Sequence, residues 1–152
     1  MRRVLLAFLL FSPLMARAAS LTVLSATDVP ALVKSPAHGE RIIALWALDC
    51  AYCEANLRAL AALQRAHPHD IELVTVATDN IAQAQAIEQR LNAAGVAGYP
   101  ARAYADTQPD RINYLIDPSW GGETPRMLVV HVDGSRIGIS GALTPSQLQK
   151  LL

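Results

Sequence analysis

The two cysteines of this chain are three positions apart, as Cys50-Ala51-Tyr52-Cys53, and they are the only cysteines among the 152 residues. An apolar, strand-like run over residues 41–48 precedes them, and a helical pattern over residues 54–66 follows them. The order predicts a dithiol at a strand-to-helix junction, where unpaired N–H groups and the helix dipole stabilise a thiolate on the first sulfur. A thiolate attacks a disulfide, and a second thiol three residues later releases the product. The pair therefore indicates thiol–disulfide exchange.

Two other roles for the cysteines stay open at this point, a structural disulfide and half of a zinc site. A disulfide across two intervening residues closes so short a loop that it constrains the unfolded chain little, which favours a chemical role. Zinc needs four ligands, and His67 and His69 flank a proline at a helix end, where a solvated turn is expected. Covalent haem attachment is excluded because Glu54, and not a histidine, follows Cys53. The histidines that remain to complete a zinc site are His38, His67, His69 and His131.

The first 18 residues have the layout of a secretory signal peptide. Two arginines follow Met1, residues 4–14 are almost wholly apolar, and small residues stand before a cleavage point after Ala18. The apolar run is shorter than the roughly 20 residues that span a bilayer, so we predict a cleaved leader, with an uncleaved membrane anchor as the alternative. The nearest cysteine is Cys50, which argues against lipid attachment at the cleavage point.

Residues 19–152 are long enough to form one domain with its own core. The chain has 13 Lys and Arg and 13 Asp and Glu, so its formal charge is zero. This balance gives no indication of a nucleic-acid-binding surface.

Strand and helix patterns alternate along the domain. A short strand is predicted at residues 21–24 and a short helix at residues 31–34. After the cysteines, residues 71–77 predict a strand, and a helix capped by residues 78–80 ends at Gly95. This βαβα order calls for parallel strands joined by a right-handed crossover. Residues 96–122 form a further segment, with an extended stretch near 99–105 and a helix near 110–116, ahead of a hairpin at Asp133-Gly134. A final helix is predicted from Pro145 to Leu152.

Together with the C-x-x-C pair, this order resembles the thioredoxin fold, in particular the TlpA/ResA-like thiol-disulfide oxidoreductases of the bacterial envelope. Two further anchors carry the resemblance, namely Trp46-Ala47 ahead of Cys50 and Thr124-Pro125 ahead of the hairpin. The resemblance covers about residues 41–152. It implies an α/β fold, a three-layer sandwich with a central mixed β-sheet and helices on both faces.

The resemblance also implies a function. A periplasmic, monomeric enzyme would exchange electrons with protein disulfides or thiols, as a reductant, and a membrane thiol donor would reduce it again. No cofactor, metal or nucleic acid is implied. Cys50 would be the nucleophile and Cys53 the resolving thiol. Pro125 would be a cis-proline facing the dithiol, the backbone of Thr124 would pair with the substrate, and Trp46 would pack under the active-site loop.

The sequence departs from the thioredoxin pattern close to the cysteines. Ala44 stands where thioredoxins carry a buried acid, and Tyr52, which we expect to shape the substrate groove, stands where a proline is common. Asp49 precedes the nucleophile, and its negative charge opposes thiolate formation on Cys50, which favours a reductant. Glu123 has two interpretations, a proton acceptor that replaces the missing acid or a solvated loop residue.

Two alternatives to a reductant remain. An oxidant would run the same steps backward, and a non-enzymatic binding or metal-handling module would keep the dithiol as a ligand pair. The sequence does not name the substrate. The candidate substrates are the haem sites of apocytochromes, the cysteines of copper centres and wrongly oxidised proteins in general.

Overall fold

A computed structural model describes residues 20–105 and 108–151, so the predicted leader, residues 1–18, lies outside the described residues. Six strands form one sheet in the order β1-β4-β3-β2-β5-β6. The strands are β1 Leu21–Leu24, β2 Glu40–Trp46, β3 Ile71–Asn80, β4 Ala101–Tyr104, β5 Arg126–His131 and β6 Arg136–Ser140. The helices are α1 Val29–Leu32, α2 Cys53–Ala66, α3 Ala84–Ala93, α4 Pro109–Ile116 and α5 Pro145–Gln149.

The sheet is mixed. Strands β1, β4, β3 and β2 are parallel to one another, whereas β5 is antiparallel to β2 and β6 is antiparallel to β5. The β5–β6 connection turns at Asp133 and Gly134, where Gly134 has a φ of +88° that favours glycine. The predicted parallel units and terminal hairpin are thus confirmed.

Both faces of the sheet are covered, because side chains of successive strand residues point to opposite faces. Along β2, Ile42, Ala44 and Trp46 face the core under α2 and α3. Ile43 and Leu45 face the second core, to which α1 and α4 contribute. The predicted three-layer sandwich, with a central mixed sheet and helices on both faces, is confirmed.

The predicted end of β3 is wrong. The strand continues through Asn80, and one 3-10 turn, Ile81–Gln83, separates it from α3. The chain stays extended because it still pairs with β4, where Asn80 lies opposite Tyr104 after a register shift that follows Ala77. The Thr78 hydroxyl also donates to the Trp46 carbonyl (3.3 Å), and the Asp79 carboxylate accepts from Leu48 N–H (2.8 Å). Of the three residues that were predicted to cap the helix, only Asn80 acts as a cap: its side chain accepts from Ala82 N–H at 2.7 Å.

The segment over residues 96–122 belongs to the sandwich itself. Its extended stretch is β4, which lies inside the sheet between β1 and β3, and its helix is α4. Ile112 and Ile116 of α4 are buried in the same core as Leu24 of β1. In the part of the chain that the structure describes, no helix is both long and apolar enough to cross a membrane.

Candidate active site

The cysteines lie where β2 ends and α2 begins, and they form a disulfide with Sγ atoms 2.05 Å apart. Cys53 is the first residue of α2 and is 1% exposed, whereas Cys50 is partly exposed in the preceding turn. Asp49 is exposed and Tyr52 is 65% exposed. The dithiol therefore has one accessible member and one shielded member, which suits a nucleophile and a resolving thiol.

Below the disulfide the core is apolar. Ala44 is 4% exposed and pairs in register with Thr75 of β3, while Trp46 and Leu57 are each 1% exposed in the same core as Cys53. Thr75 is fully buried, and its hydroxyl has no hydrogen-bond partner. Among the described residues, the buried polar side chains are those of Asn56 and Thr75, so no carboxyl group is buried under Cys53.

Three polar side chains hold the dithiol loop, which we define as residues 47–52, and the end of β2. Besides the bonds from Thr78 and Asp79, the Arg90 guanidinium of α3 donates to the Leu48 carbonyl at 3.2 Å. The Leu48 residue is thus bound at both its N–H and its carbonyl by side chains of opposite charge. These contacts fix the backbone two residues ahead of Cys50.

The proline loop, defined as residues 121–125, lies beside the dithiol loop. In the β2–β5 ladder Leu45 pairs with Arg126, so Pro125 comes next to Trp46, at the end of β2 that leads to Cys50. Pro125 is buried, and the Thr124–Pro125 peptide bond is cis, as predicted. The roles of Thr124 and Pro125 in substrate binding remain predictions.

A buried ion pair anchors the proline loop. Arg126 follows Pro125, and its guanidinium contacts the Asp117 carboxylate; the two side chains are only 10% and 12% exposed. Burial raises the pKa of Asp117, but hydrogen bonds from Ser119 and Arg126 outweigh it, and the pKa lies below its ordinary value of 3.8. Asp117 thus stays ionised, and the pair joins β5 to the end of α4.

Gly138 of β6 lies directly across this ion pair. A methyl group in place of its hydrogen would overlap both the Arg126 guanidinium and the Asp117 carboxylate. Position 138 therefore accommodates only glycine while the pair keeps its place.

Glu123 is engaged in the same region. Its carboxylate accepts from the Ser140 hydroxyl at 2.5 Å and lies 3.8 Å from the Arg126 guanidinium. The hydrogen bond from Ser140, together with Arg126, lowers the pKa of Glu123. Its carbonyl accepts from the indole N–H of Trp120 (2.8 Å), which is 4% exposed. These contacts favour a structural role for Glu123 over a proton acceptor.

The structure brings Cys50, Cys53, Trp46 and Pro125 together at one end of β2, as expected. The sequence analysis missed the side chains that hold this arrangement. For Asp79 a signal existed, because it lies at the carboxyl end of β3, which is parallel to β2 and so ends at the same sheet edge as the cysteines. A second signal was Asn56, an amide among the apolar residues on the buried face of α2. The missed residues are Asn56, Asp79, Arg90, Asp117 and Arg126.

The histidines do not complete a metal site with the cysteines. His131 contacts Glu40 at 2.7 Å, at the start of β2 and so at the far end of the strand from Cys50. His67 and His131 line a cavity of about 460 Å³ there. Within residues 20–105 and 108–151, no group of three or more His, Cys, Asp or Glu side chains is arranged to hold a metal ion.

The sheet order, the crossing helices and the dithiol at the end of β2 define a thioredoxin fold. No protein-family model matches the chain, and no curated protein sequence matches it. Solved structures do match, and the three described next do so at a probability of 1.00.

Three of these structures illustrate the likeness. A thioredoxin-related protein from Neisseria meningitidis serogroup B is 23% identical; the match covers 77% of this chain and 84% of that one, with a TM-score of 0.58. A thiol:disulfide interchange protein of the thioredoxin family from Chlorobium tepidum TLS is 17% identical over 80% and 81%, with a TM-score of 0.59. A secreted disulfide oxidoreductase from Mycobacterium tuberculosis, homologous to E. coli DsbE, is 16% identical over 74% and 79%, with a TM-score of 0.58. At these identities the likeness shows the fold.

Proposed function

We propose that this protein is a thiol–disulfide oxidoreductase that reduces disulfides in other proteins. The observation that carries the proposal is the Cys50–Cys53 disulfide at the start of α2, with one accessible and one shielded cysteine, beside the proline loop. The N-terminus of α2 favours a thiolate in this turn. The solved neighbours are themselves described as disulfide oxidoreductases and interchange proteins, which supports the same chemistry.

The reaction proceeds in two exchanges. In the reduced protein, the Cys50 thiolate attacks one sulfur of a substrate disulfide, forming a mixed disulfide and releasing the other sulfur as a thiolate. The Cys53 thiol then gives its proton to the released substrate thiolate and attacks the Cys50 sulfur, which releases the second substrate sulfur as a thiolate that takes a proton from solvent. Two electrons pass to the substrate, which gains two thiols, while the protein gains the disulfide seen here.

The charge beside Cys50 supports a flow of electrons from this protein to its substrate. The carboxylate of Asp49 is exposed directly ahead of it, while Asp79 and Arg90, which bind Leu48 at its N–H and its carbonyl, bring charges of opposite sign that offset each other. Negative charge opposes the thiolate and so favours a reductant, whereas a strong oxidant requires a stabilised thiolate. A membrane thiol donor would then return the protein to its dithiol form.

The proposal includes export to the periplasm. Residues 1–18 would act as a leader that is removed, and residues 19–152 would form the mature, monomeric domain. The composition of the leader supports this, and so does the Mycobacterium tuberculosis neighbour, which is described as secreted.

A trapping experiment in the native host tests the proposal. With Cys53→Ala the mixed disulfide cannot be resolved, so we expect Cys50 to stay bound to protein substrates in adducts that a reductant releases. The matched control, Cys50→Ala, retains a thiol but lacks the nucleophile and should trap nothing. Equal adducts from both variants would contradict the assigned roles.

A second measurement tests the direction. The purified protein is equilibrated with glutathione and its disulfide, and the oxidised fraction is read at each ratio. We expect a reduction potential near or below about −230 mV, in the range of reducing dithiol proteins. A value near the about −120 mV of strong periplasmic oxidants would overturn the reductant assignment and favour the oxidant.

A further inference from the structure

Asn56 is a buried amide on the helix that carries the dithiol. It lies three residues after Cys53 in α2 and is 8% exposed. Its Nδ2 donates to the Gly141 carbonyl at 2.9 Å, and its Oδ1 accepts from Leu143 N–H at 2.9 Å. Both ends of the amide therefore bind one short segment, residues 141–143, which we call the groove segment; it joins β6 to α5.

The groove segment also contacts the proline loop. Gly141 N–H donates to the Pro125 carbonyl at 2.8 Å, one step beyond the last pair of the β5–β6 ladder. Leu143 packs against the same core as Cys50, and both residues lie at its margin. A continuous path of contacts thus runs from the helix of Cys53, through Asn56 and Gly141, to Pro125.

We infer that Asn56 is a positioning residue that holds the groove segment and the proline loop at a fixed separation from the dithiol, so that a polypeptide fits between them. The inference rests on the proposed function. A chain carrying a disulfide must reach Cys50 while its backbone lies along the proline loop, so its binding depends on that separation. The exposed surface offered by Gly141 and Ala142 is almost free of side chain, which suits a polypeptide backbone. Glutathione disulfide is small and reaches Cys50 without contacting the groove segment.

The test compares a protein disulfide with a small one. Asn56→Leu keeps the size of the side chain but removes both hydrogen bonds. With insulin as the protein disulfide, we expect kcat/KM to fall about tenfold, mainly through KM, as for the loss of one to two hydrogen bonds. The rate at which glutathione disulfide oxidises the reduced variant should stay within about twofold of the unchanged protein. The matched control is Asn92→Leu, because the exposed Asn92 amide donates to the Glu88 carbonyl of its own helix.

A second variant keeps the test decisive if Asn56→Leu does not fold. In Asn56→Asp the ionised carboxylate still accepts from Leu143 N–H but has no donor for the Gly141 carbonyl. Protonation restores one O–H donor beside one acceptor, so the ratio of insulin to glutathione rates should rise as the pH is lowered from about 7 toward 4, relative to the unchanged protein.

The outcomes separate the inference from the proposed function. Equal loss with insulin and with glutathione disulfide, or no loss with either, would overturn the positioning role of Asn56. An unchanged protein that reacts with neither disulfide would instead contradict the proposed function. Circular dichroism and thermal unfolding establish that each variant is folded before its rates are compared.

Discussion

The dithiol loop and the proline loop meet at one end of β2, yet they are held by different forces. The dithiol loop is bound through its backbone, by Asp79 and Arg90 on the two sides of Leu48. The proline loop is bound by the buried pair of Arg126 and Asp117, whose charges face each other with little access to water.

Because the two loops are held differently, we expect different losses of stability when their contacts are removed. Hydrogen bonds to a partly exposed backbone contribute about 1 kcal/mol each, and water replaces them when they are lost. A largely buried charge that loses its partner costs several times as much, because little water reaches it. We therefore expect the two cysteines to lie on the half of the site that tolerates change, beside a proline loop that is held more firmly.

The largest expected effect is that of Arg126→Met. It leaves the Asp117 carboxylate buried without its partner, so the free energy of unfolding should fall by about 2–3 kcal/mol, measured by urea denaturation. Arg58→Met is the control, because Arg58 pairs with Glu54 at the surface and its side chain is 59% exposed. There we expect about 0.5 kcal/mol or less. A similar fall in the free energy of unfolding for both variants would show that the Arg126–Asp117 pair contributes no more than a surface ion pair.

Gly138→Ala tests the proline loop from the opposite side. The added methyl group displaces the Arg126 guanidinium, so we expect a loss of about 1–3 kcal/mol in the free energy of unfolding. Gly98→Ala is a matched control, since nothing lies within 4 Å of the methyl group it would add. An unchanged stability for Gly138→Ala would mean that the ion pair shifts freely.

Asp79→Ala tests the dithiol loop. It removes the acceptor of Leu48 N–H, so amide hydrogen exchange at Leu48 should speed up about fivefold, as for the loss of about 1 kcal/mol. Glu88→Ala removes an exposed acid from α3 and serves as the control. A loss of stability as large as that of Arg126→Met would show that the dithiol loop is as rigidly held as the proline loop.

The smallest expected effect is on the stability of the protein at low pH. Because the pKa of Asp117 is lowered in the folded protein, its contribution to stability is present above its ordinary value of 3.8 and is lost as the pH falls below it. Denaturation between about pH 5 and 2 should therefore show a shallower decline for Asp117→Asn than for the unchanged protein. Ser119→Ala, which removes only one hydrogen bond to Asp117, should be intermediate. Identical slopes in all three would contradict the lowered pKa.

Much of the site could be predicted because its signals are local. The strand, the cysteine pair and the helix are continuous from Glu40 to Ala66, so the junction follows from periodicity and spacing alone. The order of the remaining elements limited the possible topologies, and the resemblance then placed Pro125 beside the dithiol. Glu123 shows where this reasoning ended, because its partner Ser140 lies 17 residues away.

The sequence by itself determined the cysteine pair and the α/β order, and the resemblance to thioredoxins implied the cis-proline. Only the tertiary structure decided what holds the cysteines and the proline in place. Asn56 and Gly141 are 85 residues apart, and Leu48 and Arg90 are 42 apart. Polar contacts of this kind have no periodicity to reveal them, since each depends on where two distant elements meet. The C-x-x-C pair is thus evident from spacing alone, whereas the contacts that hold its surroundings in place are a product of packing.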